Sequence, residues 1–264
     1  MNRALGAVLS GLSTGAGALG DLILPRSCAA CDRPDVTAWR LCERCNVSLL
    51  SLVALSYCRR CGTTVGPHIP ITDEGCSACP DTMPRFARIF RLGPYADPLR
   101  TIIRELKYHR RDTMRKQLGS MLGKLIAASL EDDQTAPQLV MPTPMHWTRR
   151  IVRGWDHARA LANAVGRELK LPVGNELVRL RNTPQQAKLP RSSRAANVRG
   201  AFAVRKADGL TGASILLVDD VSTTGATANE AARTLLNAGA ARVTLAVAAK
   251  GEPPRAYGQY ALES

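Results

Sequence analysis

The stretch that decides the fold reads Ile215-Leu216-Leu217-Val218-Asp219-Asp220-Val221-Ser222-Thr223-Thr224-Gly225-Ala226-Thr227. Its apolar run predicts a buried strand, and the apolar spacing that follows, at Ala232, Leu235 and Leu236, predicts a helix. Two adjacent acids and a small polar loop separate these two elements. In an open α/β sheet, ligands bind beyond the carboxyl ends of the strands, and we expect Asp219 and Asp220 to lie there.

The loop combines groups that bind anions with groups that bind hydroxyls or cations. A helix start offers unpaired backbone N–H groups and the positive end of the helix dipole. Thr223, Thr224 and Thr227 add hydroxyl donors, and Gly225 allows a phosphate to approach the backbone closely. Two carboxylates beside such a loop suit a ligand with phosphate at one end and hydroxyls or Mg²⁺ at the other, such as a ribose 5-phosphate bearing pyrophosphate. The alternative is an ordinary strand-to-helix turn with a threonine cap, which the complete string disfavours.

The segments around this loop predict an α/β domain. Short apolar runs at residues 139–141 and 243–247 indicate two more buried strands beside the one at residues 214–218, and residues 85–95 indicate a strand or an extended linker. Helical spacing of apolar residues occurs within residues 99–106, 118–125 and 161–169. Alternating strands and helices imply a mostly parallel sheet with covered faces. An irregular stretch at residues 181–199 is long enough to be functional or mobile.

All eight cysteines lie within residues 28–79 and form four C-x-x-C pairs. The pairs are Cys28/Cys31, Cys42/Cys45, Cys58/Cys61 and Cys76/Cys79. Two C-x-x-C turns complete the tetrahedral shell of four sulfurs that zinc accepts, and a closed shell leaves no position for catalysis. We therefore predict two structural zinc ions. Adjacent pairs are expected to share an ion, although an interleaved arrangement stays open.

Other uses of the cysteines fit less well. A disulfide framework suits a secreted domain, but regular C-x-x-C pairs suit metal better. A redox C-x-x-C is normally single and lies in a βαβ context. Iron–sulfur clusters use cysteine ligands at different spacings.

The positive charge of the chain is concentrated in its middle. The net charge is +14, and residues 91–200 carry 21 basic against 9 acidic side chains. A localised basic field favours polyanions such as nucleic acid, although a solvated basic face remains an alternative. Within this segment, Lys107-Tyr108-His109-Arg110-Arg111 could bind phosphates and stack a base, or could equally be the wet face of a helix.

The first residues do not indicate a membrane span. Residues 4–24 are mildly apolar, but serines and glycines interrupt the run, and a span needs about 20 mostly apolar residues. A signal peptide is conceivable, yet a short amphipathic helix fits better. We expect an N-terminal leader at residues 1–24, a zinc module at 25–83 and an α/β domain at 84–264, in a cytoplasmic protein without membrane insertion.

Several motifs together resemble those of the ComF family, which includes ComFC and GntX-like proteins. The loop at residues 219–227 looks like the signature of type I phosphoribosyltransferases that binds phosphoribosyl pyrophosphate (PRPP). The four C-x-x-C pairs resemble the double zinc ribbon of the ComF family, and Lys107-Tyr108 resembles its basic helix. Residues 141–145 and 183–202 resemble a strand end and a long loop of the family. The resemblance covers almost the whole chain and implies a type I phosphoribosyltransferase sheet after a zinc-ribbon module.

The resemblance also implies roles for individual residues. Asp219 and Asp220 would be the catalytic pair, holding the ribose hydroxyls directly or through Mg²⁺. The PRPP-binding set would be Asp219, Asp220, Val221, Ser222, Thr223, Thr224, Gly225, Ala226 and Thr227. The segment 183–197 would act as a lid, with Arg191 and Arg194 seeking phosphate. The turn after Pro142 would face the pyrophosphate. The candidates for binding phosphate or nucleic acid are Lys107, Tyr108, Arg110, Arg111, Arg149, Arg150 and Arg153.

One motif departs from the family pattern. Where the family has Arg-Gly-Phe-Asn-Gln, this chain has Arg153-Gly154-Trp155-Asp156-His157. If these positions touch a substrate, its identity differs from that of the family. His157 could be a general base, but a histidine at a helix start is more often structural.

Three functions are compatible with these residues. The chain could transfer a phosphoribosyl group to an acceptor that the sequence does not identify. It could instead be a non-catalytic protein that binds single-stranded DNA through the ribbon and the basic surface, since ComF-like proteins are associated with DNA uptake and natural transformation. It could also be a regulator in which bound PRPP alters the affinity for DNA. In each case the DNA-uptake machinery is a candidate partner.

Overall fold

The computed structural model describes residues 27–252, apart from 35, 37–39, 67–69, 71, 73, 109–111, 131–135, 149–150, 152–154 and 185–188. Its central sheet has the strand order β1-β6-β5-β2, and all three pairings are parallel. These strands are β1 (Ile89–Pro94), β2 (Leu139–Pro142), β5 (Ser214–Ser222) and β6 (Arg242–Lys250). A separate antiparallel pair consists of β3 (Leu177–Arg179) and β4 (Phe202–Val204).

Six α-helices accompany the strands in the described part of the chain. They are α1 (Glu43–Ala54), α2 (Leu99–Tyr108), α3 (Asp112–Ala128), α4 (His157–Leu169), α5 (Arg194–Val198) and α6 (Ala226–Asn237). A 3₁₀ turn, Arg191–Ser193, directly precedes α5. The apolar spacings that predicted α2, α3 and α4 are confirmed, because Ile102, Leu118 and Leu161 are all buried.

The sheet is covered on both faces, as the sequence predicts. Along β5, Leu216 and Val218 belong to a buried cluster that includes residues of α2, α3 and α4. Ile215 and Leu217 belong to a second buried cluster, which includes residues of α6. Successive side chains of a strand point to opposite faces, so this division follows from the strand period of two residues.

The cysteine-rich segment packs against the edge of the sheet. The N–H of Ile89, the first residue of β1, donates to the carbonyl of Arg59 at 2.7 Å. Helix α1 covers the same strand, and a Cβ on Gly93 would lie 3.2 Å from Cβ of Leu52. The segment is therefore attached to the α/β domain by direct packing.

Two details differ from the sequence-based prediction. Strand β5 continues past the two acids, because Val221 and Ser222 still pair with Ala249 and Lys250 of β6. The acids therefore lie within the last part of the strand rather than after it. The stretch at residues 181–199 is not wholly irregular either, since it contains the 3₁₀ turn and α5.

Candidate functional site: two metal clusters and the loop after strand β5

The eight cysteines form two clusters with the geometry of tetrahedral zinc sites. Within each cluster all four Sγ atoms lie within 4.8 Å of one another. Sulfurs bound tetrahedrally at about 2.3 Å from zinc lie about 3.8 Å apart. The Sγ–Sγ distances are 3.6 Å for Cys31 and Cys42, 3.7 Å for Cys58 and Cys79, and 3.8 Å for Cys61 and Cys76. The residues therefore fit zinc.

The clusters resolve the open question of pairing. The first cluster contains Cys28, Cys31, Cys42 and Cys45, and the second contains Cys58, Cys61, Cys76 and Cys79. Adjacent pairs thus share a site, as expected, and the interleaved arrangement is wrong.

Within each cluster the environment shifts the pKa values of the thiols, and in the first cluster the shifts have opposite directions. Burial opposes ionisation of Cys28, but backbone N–H groups, that of Cys42 foremost, outweigh it and lower its pKa to about 7. Burial and neighbouring thiols raise the pKa of Cys45. In the second cluster, burial and the charges of Cys61 and Cys58 raise the pKa of Cys76 to about 12. Bringing all four sulfurs to the thiolate form therefore requires a cation, and zinc supplies that charge.

Asp219 and Asp220 are held by the backbone that follows each of them. Oδ1 of Asp219 accepts the N–H of Asp220 at 2.8 Å, and Oδ1 of Asp220 accepts the N–H of Val221 at 2.7 Å. Both residues are half-buried. These bonds orient two carboxylates at the carboxyl end of β5, and carboxylate oxygens suit both Mg²⁺ and ribose hydroxyls.

Gly225 makes the sharp turn from the strand into α6. Its φ is +77°, a left-handed conformation that glycine adopts without a steric penalty. Gly225 is the N-cap of α6 and offers no side-chain cap to the helix N–H groups. The first turn of α6 is therefore suited to an anion.

Two buried hydroxyls lie at the same end of the sheet. The backbone N–H of Thr143, just after β2, donates to the carbonyl of Val218 in β5 at 2.8 Å. Among the described residues, Oγ1 of Thr143 and Oγ of Ser222 are buried and have no hydrogen-bond partner. Such groups are costly to leave unpaired, so they indicate a ligand or water at the carboxyl end of the sheet.

The lid segment contacts the loop through one of its two predicted arginines. Nη1 of Arg194 donates to Oγ1 of Thr223 at 2.8 Å, and Nε donates to the carbonyl of Leu189 at 3.1 Å. The backbone of Arg191 lies in the 3₁₀ turn, but its side chain is outside the described part. One predicted phosphate-seeking cation is thus beside the candidate phosphate loop.

The two unusual residues at the start of α4 have different surroundings. Asp156 is the N-cap of α4, and its Oδ1 accepts the N–H of Arg159 at 3.1 Å. His157 is buried and lines a small cavity together with Asp220 and Arg115. The acid therefore has a capping role, and the imidazole lies near the acidic pair.

Most of the residues predicted to make basic contacts lie outside the described part of the chain. The side chains of Lys107 and Tyr108 and all of residues 109–111 lie outside the described residues, as do Arg149, Arg150 and Arg153. A different basic surface is described instead, a groove of about 660 Å³ between α3 and α4. Its lining includes Arg115, Lys116, Trp155, Asn163, Arg167 and Lys170.

Sequence reasoning missed one residue that contacts the loop. Lys250 ends β6, is 8% exposed, and donates from Nζ to the carbonyl oxygens of Thr223 and Gly251. A lysine that closes a buried strand next to the candidate loop was the available signal. Only the strand pairing shows that Lys250 lies opposite Ser222.

Comparison with known families matches both parts of the chain. A double zinc ribbon domain matches residues 19–83, and a phosphoribosyl transferase domain matches residues 156–257.

Curated relatives match over most of the chain. The DNA utilization protein YhgH of Salmonella typhi is 28% identical over 84% of this chain and 96% of its own length. YhgH of Escherichia coli K12 is 29% identical over the same shares. Competence protein F of Haemophilus influenzae is 28% identical over 75% of this chain and 85% of its own length.

Solved structures are more distant. The PRPP amidotransferase of B. subtilis is 19% identical over 70% of this chain and 37% of its own, with a TM-score of 0.37. A TM-score this low does not establish a shared fold. The fold class is established by the family models and by the parallel sheet.

These findings define the class of the protein, which is a phosphoribosyltransferase-type α/β protein with an N-terminal double zinc ribbon. The resemblance of the chain to the ComF family is confirmed by its relatives together with this pair of domains. Among the described residues, no helix is both long and apolar enough to cross a bilayer.

Proposed function

We propose that this protein binds PRPP with Mg²⁺ at residues 219–227 and transfers its phosphoribosyl group to an acceptor, in a cytoplasmic role linked to DNA uptake or use. The observation that carries the proposal is that groups able to bind anions, hydroxyls and cations meet at the carboxyl end of the sheet. Asp219 and Asp220 offer carboxylates, α6 offers its N-terminus behind the N-cap Gly225, and Thr143 and Ser222 offer buried hydroxyls. The names of the relatives support the link to DNA.

The proposed roles follow from the charge of each group. The first turn of α6 and the hydroxyls of Thr223 to Thr227 would hold the 5-phosphate, while Asp219 and Asp220 would hold the ribose hydroxyls. Mg²⁺, when bound, would neutralise the pyrophosphate. The bond from the anomeric carbon to the pyrophosphate oxygen breaks, pyrophosphate leaves with the electron pair, and the acceptor forms the new bond to that carbon. Arg194 would move from Thr223 to the ligand and cover it.

Calorimetric titration of Mg²⁺-PRPP into the full chain tests this proposal. We expect binding to the wild type, and binding at least about 100-fold weaker for an Asp219→Ala/Asp220→Ala variant, because two hydrogen-bonding carboxylates are lost. The exposed Asp208→Asn serves as a control and should bind like the wild type. A folded, zinc-loaded wild type that does not bind PRPP would contradict the proposal. Release of pyrophosphate with candidate acceptors then tests transfer.

Binding of single-stranded nucleic acid is the second candidate function, and the groove between α3 and α4 favours it. The guanidinium of Arg115 stacks 5.2 Å from the ring centre of Trp155, which is itself 37% exposed. The exposed residues Lys116, Arg167 and Lys170 add positive charge along the groove. Aromatic platforms beside a cationic track suit single strands, because bases stack and phosphates pair with the cations. The cations near the end of α4 also complement its dipole, which is the structural alternative.

The salt dependence of binding to a short single-stranded oligonucleotide distinguishes a nucleic-acid-binding role of these cations from a role in complementing the helix dipole. If Arg167 and Lys170 contact phosphates, an Arg167→Ala/Lys170→Ala variant should lower the slope of log affinity against log salt by about 1.4. The variant Arg205→Ala/Lys206→Ala removes the same charges from an exposed site elsewhere and is the matched control. Equal slopes in the two variants would assign the groove charges to the helix dipole alone.

A further inference from the structure

Lys250 connects the candidate PRPP loop to the zinc-ribbon segment. Its ammonium group donates to the backbone carbonyl of Thr223, in the middle of the loop, and to that of Gly251 at 3.1 Å. The N–H of Gly251 donates to the carbonyl of Ser222 at 2.8 Å. The end of β6 is therefore bonded to the backbone of the loop at two successive residues. A buried ammonium is costly unless hydrogen bonds compensate it, so its position here is strongly constrained.

The aliphatic part of Lys250 reaches the second cysteine cluster. Gly62, which directly follows the ligand Cys61, has a φ of +79°. A Cβ at this glycine would lie 3.3 Å from Cδ of Lys250 and 3.1 Å from Cδ1 of Ile89. The N–H of Gly62 donates to the carbonyl of Cys58 at 2.8 Å, which closes the knuckle. The metal-binding turn is thus in contact with the side chain that holds Thr223.

A buried ion pair fixes the next residues of the same segment to the ribbon. Oε1 of Glu252 accepts the N–H of Thr64 at 2.7 Å and its hydroxyl at 2.8 Å. It also accepts Nη1 of Arg91 at 2.5 Å, and the two charged side chains are 0% and 1% exposed. Nη2 of Arg91 donates to Oγ1 of Thr64 at 2.7 Å. Residues 250–252 therefore lie between the Cys58/Cys61 turn and the candidate PRPP loop, bonded or packed to both.

The first cysteine cluster has a different environment. Cys28, Cys42 and Cys45 belong to the buried cluster that contains Leu49 of α1 and Leu92 of β1. Its backbone is closed by the N–H of Ala29 donating to Arg40 at 2.9 Å. The first cluster is thus packed into the buried cluster on one face of the sheet, whereas the turn of the second cluster contacts Lys250 directly, so the first can serve as the control for the second.

We propose that the second cysteine cluster is a structural part of the PRPP site, and that Lys250 is the positioning residue that joins them. A metal bound by Cys58, Cys61, Cys76 and Cys79 fixes the knuckle at Gly62. The knuckle, with Thr64, holds residues 250–252, and Lys250 holds the backbone of Thr223. Loss of this metal site loosens the loop. The inference rests on the proposed function for its effect on PRPP, but the loosening itself does not depend on any ligand.

Hydrogen exchange of the zinc-loaded full chain measures the coupling directly. The amides to follow are Gly251, which donates to Ser222, and Asn229, which donates to Gly225 at 2.8 Å. Cys76→Ser and Cys31→Ser each remove one sulfur, from the second and the first cluster respectively. We expect Cys76→Ser to accelerate exchange of the two amides about tenfold more than Cys31→Ser does. Unchanged slow exchange in the central β5–β6 ladder shows that each variant is folded.

A second pair of variants keeps the test decisive if a cysteine variant does not fold. Lys250→Met retains the length of the stem and removes the donor, and Lys206→Met is the exposed control. We expect about tenfold faster exchange of Gly251 and Asn229 in Lys250→Met, with a similar loss of Mg²⁺-PRPP affinity, since hydrogen bonds from a charged group are lost. Lys206→Met should match the wild type.

The outcomes separate this inference from the proposed function. Faster loop exchange in Lys250→Met and Cys76→Ser, with no binding of PRPP to the wild type, supports the coupling and refutes the proposed ligand. Binding of PRPP to the wild type, with neither exchange nor affinity altered in Lys250→Met, refutes the coupling alone. Equal effects of Cys76→Ser and Cys31→Ser also refute it, because they indicate a general loss of stability.

Discussion

Glu230 illustrates how a single acid ties the backbone just after α5 to α6. Its Oε1 accepts the N–H of Gly200 at 2.6 Å, and its carboxylate accepts Nη2 of Arg233 at 2.7 Å and Nε at 2.9 Å. Glu230 is 8% exposed. The Arg233 guanidinium, which outweighs burial and is helped by the Gly200 N–H, holds the pKa of Glu230 below its ordinary value. A partly buried acid with these partners favours the folded state in its charged form.

This arrangement predicts a pH-dependent loss of stability in Glu230→Gln. A pKa that is lower in the folded state stabilises it above the unfolded value of about 4.3, and this contribution is lost as the pH falls through the folded pKa. At pH 7 the free energy of unfolding of the variant should be about 1 kcal/mol lower than that of the wild type. The loss is no larger because Arg233 is partly exposed and its charge is screened by solvent. Urea unfolding at several pH values measures the difference. A deficit that persists unchanged at pH 3 would show that charge is not its cause.

Asp156 shows why a departure from a family motif needs a structure to interpret it. From the sequence, the acid in place of an amide suggested a different substrate. Its Oδ1 instead caps α4 through the N–H of Arg159, a role that asparagine and aspartate fill equally well. His157, one residue further, is the position of that motif that lies near Asp220. The substrate question therefore concerns His157 more than Asp156.

The helices α3 and α4 pack against each other and support the candidate site. A Cβ on Gly119 would lie 2.4 Å from Cβ of Ala164, and one on Gly123 would lie 2.6 Å from Cβ of Glu168. Two glycines one turn apart therefore allow α3 to approach α4 closely. This contact places Trp155 and His157, at the start of α4, beside Arg115 of α3.

Gly119→Ala should consequently destabilise the protein, although alanine is the better helix former. The gain in helix propensity is about 1 kcal/mol, but the clash should reduce the unfolding free energy by a net amount of about 1–3 kcal/mol. Gly209→Ala is the control, since no atom lies within 4 Å of the added Cβ. Urea denaturation midpoints with unchanged m-values measure the effect. A Gly119→Ala protein as stable as the control would mean that the helices separate without cost.

At the scale of the whole molecule, the zinc ribbon and the α/β domain are joined through a buried polar network. The Arg91–Glu252 pair and Thr64 connect β1, the segment after β6 and the Cys58/Cys61 turn. Arg91 also stacks 4.9 Å from the ring centre of Tyr57. Removing one partner of a buried pair leaves an uncompensated charge, so loss of either Arg91 or Glu252 should strongly destabilise this junction.

Metal analysis and chelation test the zinc assignment for the whole chain. We expect about two zinc ions per chain. Zinc should be released as the pH falls, because protons compete for the thiolates. Circular dichroism during removal of zinc by a chelator should show a lower thermal midpoint, since metal binding contributes to folding. A metal-free chain with the same thermal midpoint as the zinc-loaded chain would overturn the structural role of zinc.

Local patterns in the sequence determined most of the architecture. The apolar runs predict strands, the i, i+3, i+4 spacing predicts α2, α3 and α4, and the four C-x-x-C pairs predict two zinc sites, because each signal depends on neighbours close in the chain. The string at residues 215–227 likewise indicates a strand, a ligand loop and a helix. These expectations could be derived without knowing which distant segments meet.

Only the tertiary structure decided which distant groups reach the loop. Lys250 meets Thr223, Glu252 meets Thr64, and Thr143 meets Val218, across separations of 27, 188 and 75 residues. Strand order and register bring these atoms together, and neither leaves a local periodic signal. The same reason explains why β5 extends through Ser222, since pairing with β6 stabilises backbone that its own side chains do not mark as strand.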